Sequence, residues 1–469
     1  MRIVASVRRD FETLGAAGFA LGLLFLGVVI SRYRFDFAPL RPQAEHFTLA
    51  FALLVLAFLL FQKRARLVFQ PSDVLLGAYL ALALMSSILF PEQPRASVQY
   101  WLRMATSVAV YFLVRWLLTA TDVRTAFRLA VKALLIFGVL EALFGIVSWF
   151  LYPFGVNLGV DEYPLGIRGP GGIVCNFSLT MYGTLWEPNA FGGALMTVIL
   201  IGATLFVSNE FAVWRKALGS ALVVMLMALA LNGSRAALAT LVFGLALIVL
   251  FAQGMGLREK LKWGAAALAV IVVVAVPSLE IARGLMQMPS APGFAARAPC
   301  AAWIAQGMPL TVSPGAPEYS DPTGPGSDIS VVNRFMEGQT LTSRWVSYKL
   351  AWDEFLQRPL FGNGADSFGQ RFTTTAHTPG WISNMLLMSL HDTGIVGTLL
   401  LSTWLLWYAR QIFGAWRRAH ASALRVMVFA LGVGLIALLI TYQATTMMWF
   451  GLVWWYFAML EQGAHFTKA

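Results

Sequence analysis

The most constraining feature of this sequence is a series of long apolar runs, each roughly 17–25 residues, separated by short charged segments. Runs of this length fit a bilayer, because a helix of about 20 residues crosses the hydrocarbon core and satisfies its own backbone hydrogen bonds there. Twelve such runs lie near residues 14–31, 47–62, 73–90, 98–118, 130–152, 190–207, 217–232, 235–252, 262–279, 386–408, 424–443 and 446–460. The sequence therefore predicts an all-α, polytopic integral membrane protein of about twelve transmembrane helices.

The composition and the placement of charge support this interpretation. Charged residues make up 12% of the chain, whereas soluble domains usually carry about 25%. The net charge of +11 comes largely from basic residues in every second loop, such as Arg8, Arg9, Lys63, Arg64, Arg215, Lys216, Arg417 and Arg418. This positive-inside pattern predicts that both termini face the cytoplasm, and it argues against a nucleic-acid-binding protein.

The predicted topology leaves two long loops on the outer side of the membrane. Residues 1–276 hold spans one to nine, with a first outer loop at about 153–189. Residues 277–385 form a large extracytoplasmic loop, and residues 386–469 hold spans ten to twelve and a cytoplasmic C-terminus. The first half of the large loop is rich in Pro, Gly and Ala without a sustained period, which is typical of irregular structure.

The second half of the large loop changes character in the segment TLTSRWVSYKLAWDEFLQRP. Trp345 and Trp352 are two helical turns apart, Thr342 or Ser343 is a suitable N-cap, and Pro359 ends the run. We expect an amphipathic helix on or near the outer membrane surface.

Two cysteines are too few for a disulfide scaffold or a cysteine-based zinc site. Cys175 and Cys300 fall in the two outer loops. Pairing in an oxidising compartment would tie the loops together, and two free thiols are the alternative. The sequence leaves both open.

Arginines stand at helix starts, where local electrostatics disfavours a cation. Arg235 follows the turn Asn232–Ser234 at the outer end of span eight, and Arg344 opens the loop helix. A guanidinium beside free helix N–H groups makes an anion site, and two such sites would suit a diphosphate. Arg168, in the glycine-rich GIRGPGG, is a third candidate contact. The same residues also have a structural explanation. Arg235 and Arg344 would reach toward lipid phosphates, and Arg168 would be an ordinary loop charge.

Candidates for a general base lie on the outer side as well. Glu187, in WEPNAFGG, either caps the start of span six or acts as a base beside the arginines. His377 lies in the loop, and His391 precedes Asp392 at the mouth of span ten; either histidine is a base or a structural residue.

Two charges fall inside predicted spans. Arg103 and Glu141 stand in the outer halves of spans four and five, where they mark a functional site or form a structural ion pair. No group of histidines or carboxylates has metal-ligand spacing, so we predict neither a metal nor another cofactor.

Three stretches, taken in order, resemble the O-antigen ligase and O-antigen polymerase superfamily of bacterial membrane glycosyltransferases. They are NGSRAAL, the loop segment LTSRWVSYKLAWDEFLQRPLFGNGADSFG with its Pro-Leu-x-Gly-x-Gly ending, and SNMLLMSLHDTGIVG. Arg235, Arg344 and Asn384 match the family pattern. Ser383 stands where the family commonly has its functional histidine, which leaves His377 or Glu187 to serve as the base.

The resemblance implies a metal-independent, inverting glycosyltransferase in a bacterial inner membrane, with its active site facing the periplasm. The donor would be a glycan on polyprenyl (undecaprenyl) pyrophosphate, and the acceptor a sugar hydroxyl of a growing glycan or a lipid A-core. It also implies partners among other polysaccharide-export proteins. Arg235, Arg344 and Arg168 would neutralise the departing pyrophosphate.

A transporter or flippase is the alternative from another class, since twelve spans suit it equally well. Transporters usually keep their polar residues near the bilayer midplane, whereas most candidates here gather at the outer surface. Arg103 and Glu141 are the residues that favour transport.

Overall fold

The computed structural model describes residues 2–30, 43–164, 167–168, 177–185, 187–251, 257–286, 311–312, 339–372, 381–418, 422–446, 448 and 450–466. His377, Cys175 and Cys300 lie outside these residues. The helices are α1 Arg2–Val29, α2 Ala44–Phe61, α3 Pro71–Leu89, α4 Pro94–Leu118, α5 Val123–Leu151, α6 Pro188–Val207, α7 Arg215–Asn232, α8 Arg235–Phe251, α9 Leu257–Met286, α10 Gln339–Gln357, α11 Ser367–Arg371, α12 Met385–Arg418, α13 Ser422–Thr441 and α14 Gly451–Phe466.

Each of the twelve predicted spans overlaps one of these helices. Within the described residues, eight helices are long and apolar enough to cross a membrane, namely α2, α3, α4, α5, α6, α7, α12 and α13. Gly15–Val29 in α1, together with α8 and Gly264–Ser278 in α9, are shorter apolar helices. The protein is thus a helical membrane protein, and the count of twelve crossings stays a prediction.

Short strands add to the predicted all-α architecture. β1 Val160–Pro164 pairs antiparallel with β3 Phe177–Met181, so that Val160 lies opposite Met181. β2 Ile167–Arg168 pairs antiparallel with β4 Thr311–Val312 and joins the two outer segments. The sequence signal was weak because strands of two to five residues show almost no alternation.

Two of the helix boundaries that differ from the expected ones lie in the segment predicted as the large outer loop. α9 continues through Pro277 to Met286, ten residues into the segment predicted as the large outer loop. α10 begins at Gln339, so the N-cap predicted at Thr342 or Ser343 was wrong. Its predicted end was right, because α10 stops at Gln357, two residues before Pro359.

α6 lies at the centre of the helix bundle. Along the apolar part of α6, 78% of the residues are buried, compared with 28% along α2 at the periphery. α6 packs against α5, α7, α8 and α13, and all four contacts follow from its apolar faces. The N-terminus of this central helix, which Glu187 precedes, is therefore held from several sides.

Candidate active site

Glu187 lies immediately before α6. Its backbone is extended, and its side chain makes no capping hydrogen bond to α6, so the helix-capping alternative is wrong. Instead, Glu187 Oε1 accepts a hydrogen bond of 2.6 Å from the Thr445 hydroxyl. Burial raises the pKa of Glu187, while the Thr445 hydrogen bond and the positive charge of Arg344 offset part of the rise. A carboxylate with a raised pKa is a stronger base than an ordinary one, which suits the role of a general base.

The turn between α7 and α8 positions Arg235 as predicted. Arg235 is the first residue of α8. The Asn232 side chain accepts from the Ser234 N–H at 3.2 Å, and the Ser234 hydroxyl accepts from the Ala237 N–H at 3.4 Å. The predicted turn and cap from Asn232 to Ser234 are therefore present.

The same turn is fixed to the start of α6. The buried Asn232 amide donates to the carbonyls of Met181, at 2.6 Å, and Pro188, at 2.9 Å. The Ser234 hydroxyl lies 3.3 Å from the Asn189 side-chain oxygen. These bonds hold the first turn of α8 against the residues that follow Glu187.

Arg344 occupies a different position from the predicted one. Since α10 begins at Gln339, Arg344 lies in the second turn of this helix rather than at its N-terminus. Its charge still acts on the Glu187 carboxylate. Helix α10 thus directs positive charge toward Glu187 without the contribution of a helix N-terminus that we predicted.

Helix α12 is broken at Gly394, whose φ of 66° and ψ of −168° are non-helical. The backbone groups freed by the break bond to the segment 359–364, which follows α10. Asn363 N–H donates to the His391 carbonyl at 2.8 Å, and Gly364 N–H donates to the Asp392 carbonyl at 3.0 Å. On the other side of the break, Ile395 N–H donates to the Pro359 carbonyl at 2.8 Å.

This contact requires glycine on both sides. A Cβ on Gly362, where φ is +74°, would lie 2.4 Å from the Asp392 carbonyl carbon. A Cβ on Gly394 would lie 2.3 Å from the Leu360 carbonyl oxygen. The Pro-Leu-x-Gly-x-Gly ending and the segment SLHDTG are therefore two halves of one backbone contact.

His391 is fully buried beneath this break. Its Nε2 lies 2.7 Å from Glu354 Oε2 on α10, and its Nδ1 lies 2.8 Å from Asp392 Oδ1. Arg371 donates to the second Glu354 oxygen at 2.5 Å. Burial raises the pKa of Glu354, but the hydrogen bonds and charges of His391 and Arg371 outweigh it and lower the pKa overall. His391 therefore ties α10 to α12 and is not exposed to a substrate.

A cavity of about 210 Å³ opens where α4, α6, α11 and α12 meet. It is lined by Tyr100, Arg103, Glu187, Asp366, Phe368, Gly369, Trp381, Ile382, Met388, Asp392, Thr445 and Thr446. Burial and the nearby charge of Asp392 raise the pKa of Asp366 to about 6, although Arg103 counteracts them. The cavity brings together Glu187, Arg103 and Asp392, three candidates from distant parts of the sequence.

Comparison with known families gives a match for the part of the chain that contains α8, α10 and the break in α12. Residues 220–402 match the O-antigen ligase family. The resemblance found in the sequence is thereby confirmed. The matched segment contains Arg235, Arg344, the segment 359–364 and the break at Gly394. Glu187, Arg103 and Thr445 lie outside the matched segment but line the same cavity as residues inside it. Among curated proteins, none matches the chain.

Asn384 and its neighbour Ser383 both make contacts within the protein at the start of α12. The Asn384 side chain accepts from the Leu387 N–H at 2.9 Å and donates to the Gln443 carbonyl at 3.1 Å, which caps α12. Ser383, at the position of the family histidine, is buried and lies 3.2 Å from the Tyr348 hydroxyl.

Arg103 and Glu141 do not form the predicted pair. The Glu141 carboxylate accepts hydrogen bonds from the Thr184 N–H and hydroxyl. Arg103 lies in the cavity instead, where its charge acts on Asp366. Arg168 is described only through its backbone, in β2 opposite Thr311.

Sequence reasoning missed Tyr100, Glu354, Asp366 and Thr445. Asp366 carried a usable signal, because it follows the Gly-x-Gly ending of the family-like loop segment. Thr445 carried none, since its contact with Glu187 joins residues 258 positions apart. Among the described residues, no group of three or more His, Cys, Asp or Glu could hold a metal ion.

Proposed function

We propose that this protein is a membrane glycosyltransferase of the ligase or polymerase type. It moves a glycan from a polyprenyl (undecaprenyl) pyrophosphate donor to a sugar hydroxyl, and the O-antigen ligase match supports this class of activity. The observation that carries the mechanism is Glu187, whose carboxylate turns away from its own helix toward Thr445 and lines a cavity.

In the proposed step, Glu187 takes the proton of the acceptor hydroxyl. The acceptor oxygen then forms a bond to the anomeric carbon, while the bond from that carbon to the pyrophosphate oxygen breaks on the opposite face. The electron pair leaves with polyprenyl pyrophosphate, and the anomeric configuration inverts. Arg235 and Arg344 neutralise the leaving group, with Arg168 as a third contact. Because guanidiniums supply positive charge, the proposed step needs no metal.

The cellular setting belongs to the same proposal. The protein lies in a bacterial inner membrane with both termini in the cytoplasm, and the cavity faces the periplasm. The acceptor is a growing glycan or a lipid A-core, and other polysaccharide-export proteins are partners. His377 remains a second candidate base. The family match favours transfer over the transporter alternative.

The test is transfer by the purified full chain, with an undecaprenyl-pyrophosphate oligosaccharide and a sugar acceptor in the presence of a chelator. We expect release of undecaprenyl pyrophosphate, and a loss of about 10²–10⁴-fold in Glu187→Gln because the base is removed. The matched control is Glu92→Gln, since Glu92 is exposed and its contact with Arg371 is a surface ion pair worth little. Full turnover of Glu187→Gln would eliminate Glu187 as the base.

A further inference from the structure

The cavity has two kinds of wall. Tyr100, Phe368 and Trp381 supply aromatic side chains, and Asp366 and Asp392 supply carboxylates. Aromatic faces carry partial negative charge and attract the polarised C–H bonds of an apolar sugar face. Carboxylates accept strong hydrogen bonds from hydroxyl groups. Together these walls match a ring that is apolar on its faces and rich in hydroxyls at its edge.

We infer that this cavity is the acceptor subsite and that it takes a neutral or amino sugar ring in preference to an acidic one. The inference rests on the proposed function, because Glu187 forms part of the same wall. A hydroxyl of the bound ring then lies beside the base. Arg235 and Arg344 are not among the lining residues, so the donor diphosphate binds next to the cavity rather than inside it.

Charge sets the preference for the sugar. The cavity is lined by three carboxylates, those of Glu187, Asp366 and Asp392, against one guanidinium, that of Arg103. Asp392 is bonded to His391, and the charge of Arg344 acts on Glu187, so Asp366 is the carboxylate that Arg103 alone opposes. A uronic acid would add another anion to this group, whereas an ammonium would neutralise one.

Size and access agree with a single ring. A volume of about 210 Å³ is enough for one pyranose ring. Trp381 is 47% exposed, so it lies at the mouth of the cavity and lets the rest of an acceptor chain extend outward.

The experiment measures binding without turnover. Saturation-transfer NMR on the detergent-solubilised full chain would compare methyl glucoside, methyl glucosaminide and methyl glucuronide. We expect the first two to bind and the glucuronide to bind at least tenfold more weakly. Equal binding of all three, or of none, would overturn the inference.

Two variants test the assignment of the walls. In Asp366→Asn the affinity for methyl glucosaminide should fall about tenfold or more, because a charged hydrogen bond is lost. Asn tolerates the left-handed backbone of Asp366, where φ is 57°, so the variant should fold. Trp381→Ala should lower the affinity for every glycoside that binds. The controls Asp353→Asn and Trp352→Ala, both exposed on α10, should leave the affinity unchanged.

The outcomes separate this inference from the proposed function. Glycoside binding with the expected preference, in a protein that shows no transfer, would refute the transferase and leave the sugar subsite standing. Transfer that depends on Glu187, with no effect of Asp366→Asn on binding, would refute the subsite alone.

Discussion

At the residue scale, the surroundings of Glu187 determine how transfer should depend on pH. A general base must be deprotonated, so kcat/KM should rise with pH through the pKa of Glu187. Burial raises this pKa above the ordinary 4.5, so the midpoint should lie above that value.

Thr445→Val should move that midpoint to higher pH. The Thr445 hydroxyl donates to the ionised Glu187 carboxylate and lowers its pKa. Without this hydrogen bond, burial raises the pKa of Glu187 further. Thr446→Val is the matched control, because the Thr446 hydroxyl donates to the Ile382 carbonyl at 3.3 Å instead. The measurement is a pH–rate profile of the wild type and of each variant. Identical midpoints in these three proteins would contradict the role of Glu187 as the titrating base.

Sequence reasoning at this scale succeeded where a role depends on neighbours along the chain. Arg235 begins α8 after a turn that its own neighbours form, so its placement was predictable. The partners of Glu187 and His391 come from distant helices, and no local pattern indicates them. Local reasoning therefore left Glu187 open between a helix cap and a general base, and the fold does not use the cap.

At the element scale, the break in α12 is the feature most sensitive to a single methyl group. Gly394 adopts a backbone conformation that is essentially restricted to glycine. We expect Gly394→Ala to cost about 1–3 kcal/mol from strain, with a further cost from the clash with Leu360. The apparent melting temperature in detergent should fall clearly.

Gly432→Ala serves as the control for this substitution. Gly432 lies within α13, and the nearest atom to an added Cβ is 3.7 Å away, an ordinary contact. Its melting temperature should be unchanged or slightly higher, because alanine favours a helix. Equal melting temperatures for the two variants would contradict the role given to the break.

Helix positions were the most predictable part of the fold, since length and hydropathy determine where a spanning helix lies. The start of α10 and the short strands were less so. α10 begins in a polar stretch with several acceptable caps, and β2 finds its partner β4 more than a hundred residues later. Such pairings depend on tertiary contacts rather than on propensity.

At the scale of the whole molecule, topology decides from which side a substrate reaches the cavity. The charge pattern predicts that Lys63, after α2, is cytoplasmic and that Glu92, after α3, is external. Both residues are exposed. In a background with Cys175→Ser and Cys300→Ser, a membrane-impermeant maleimide on intact cells should label Glu92→Cys and spare Lys63→Cys. Labelling of Lys63→Cys alone would show that the topology is the reverse of the predicted one.

The bond between Thr445 and Glu187 also bears on how the protein matures. Helices enter a membrane in the order of their synthesis, and 258 residues separate these two side chains. A nascent chain that has inserted everything up to α12 lacks Thr445 and Thr446 from the cavity wall. The wall of the cavity is therefore complete only once the segment that follows α13 has been synthesised and has joined the bundle.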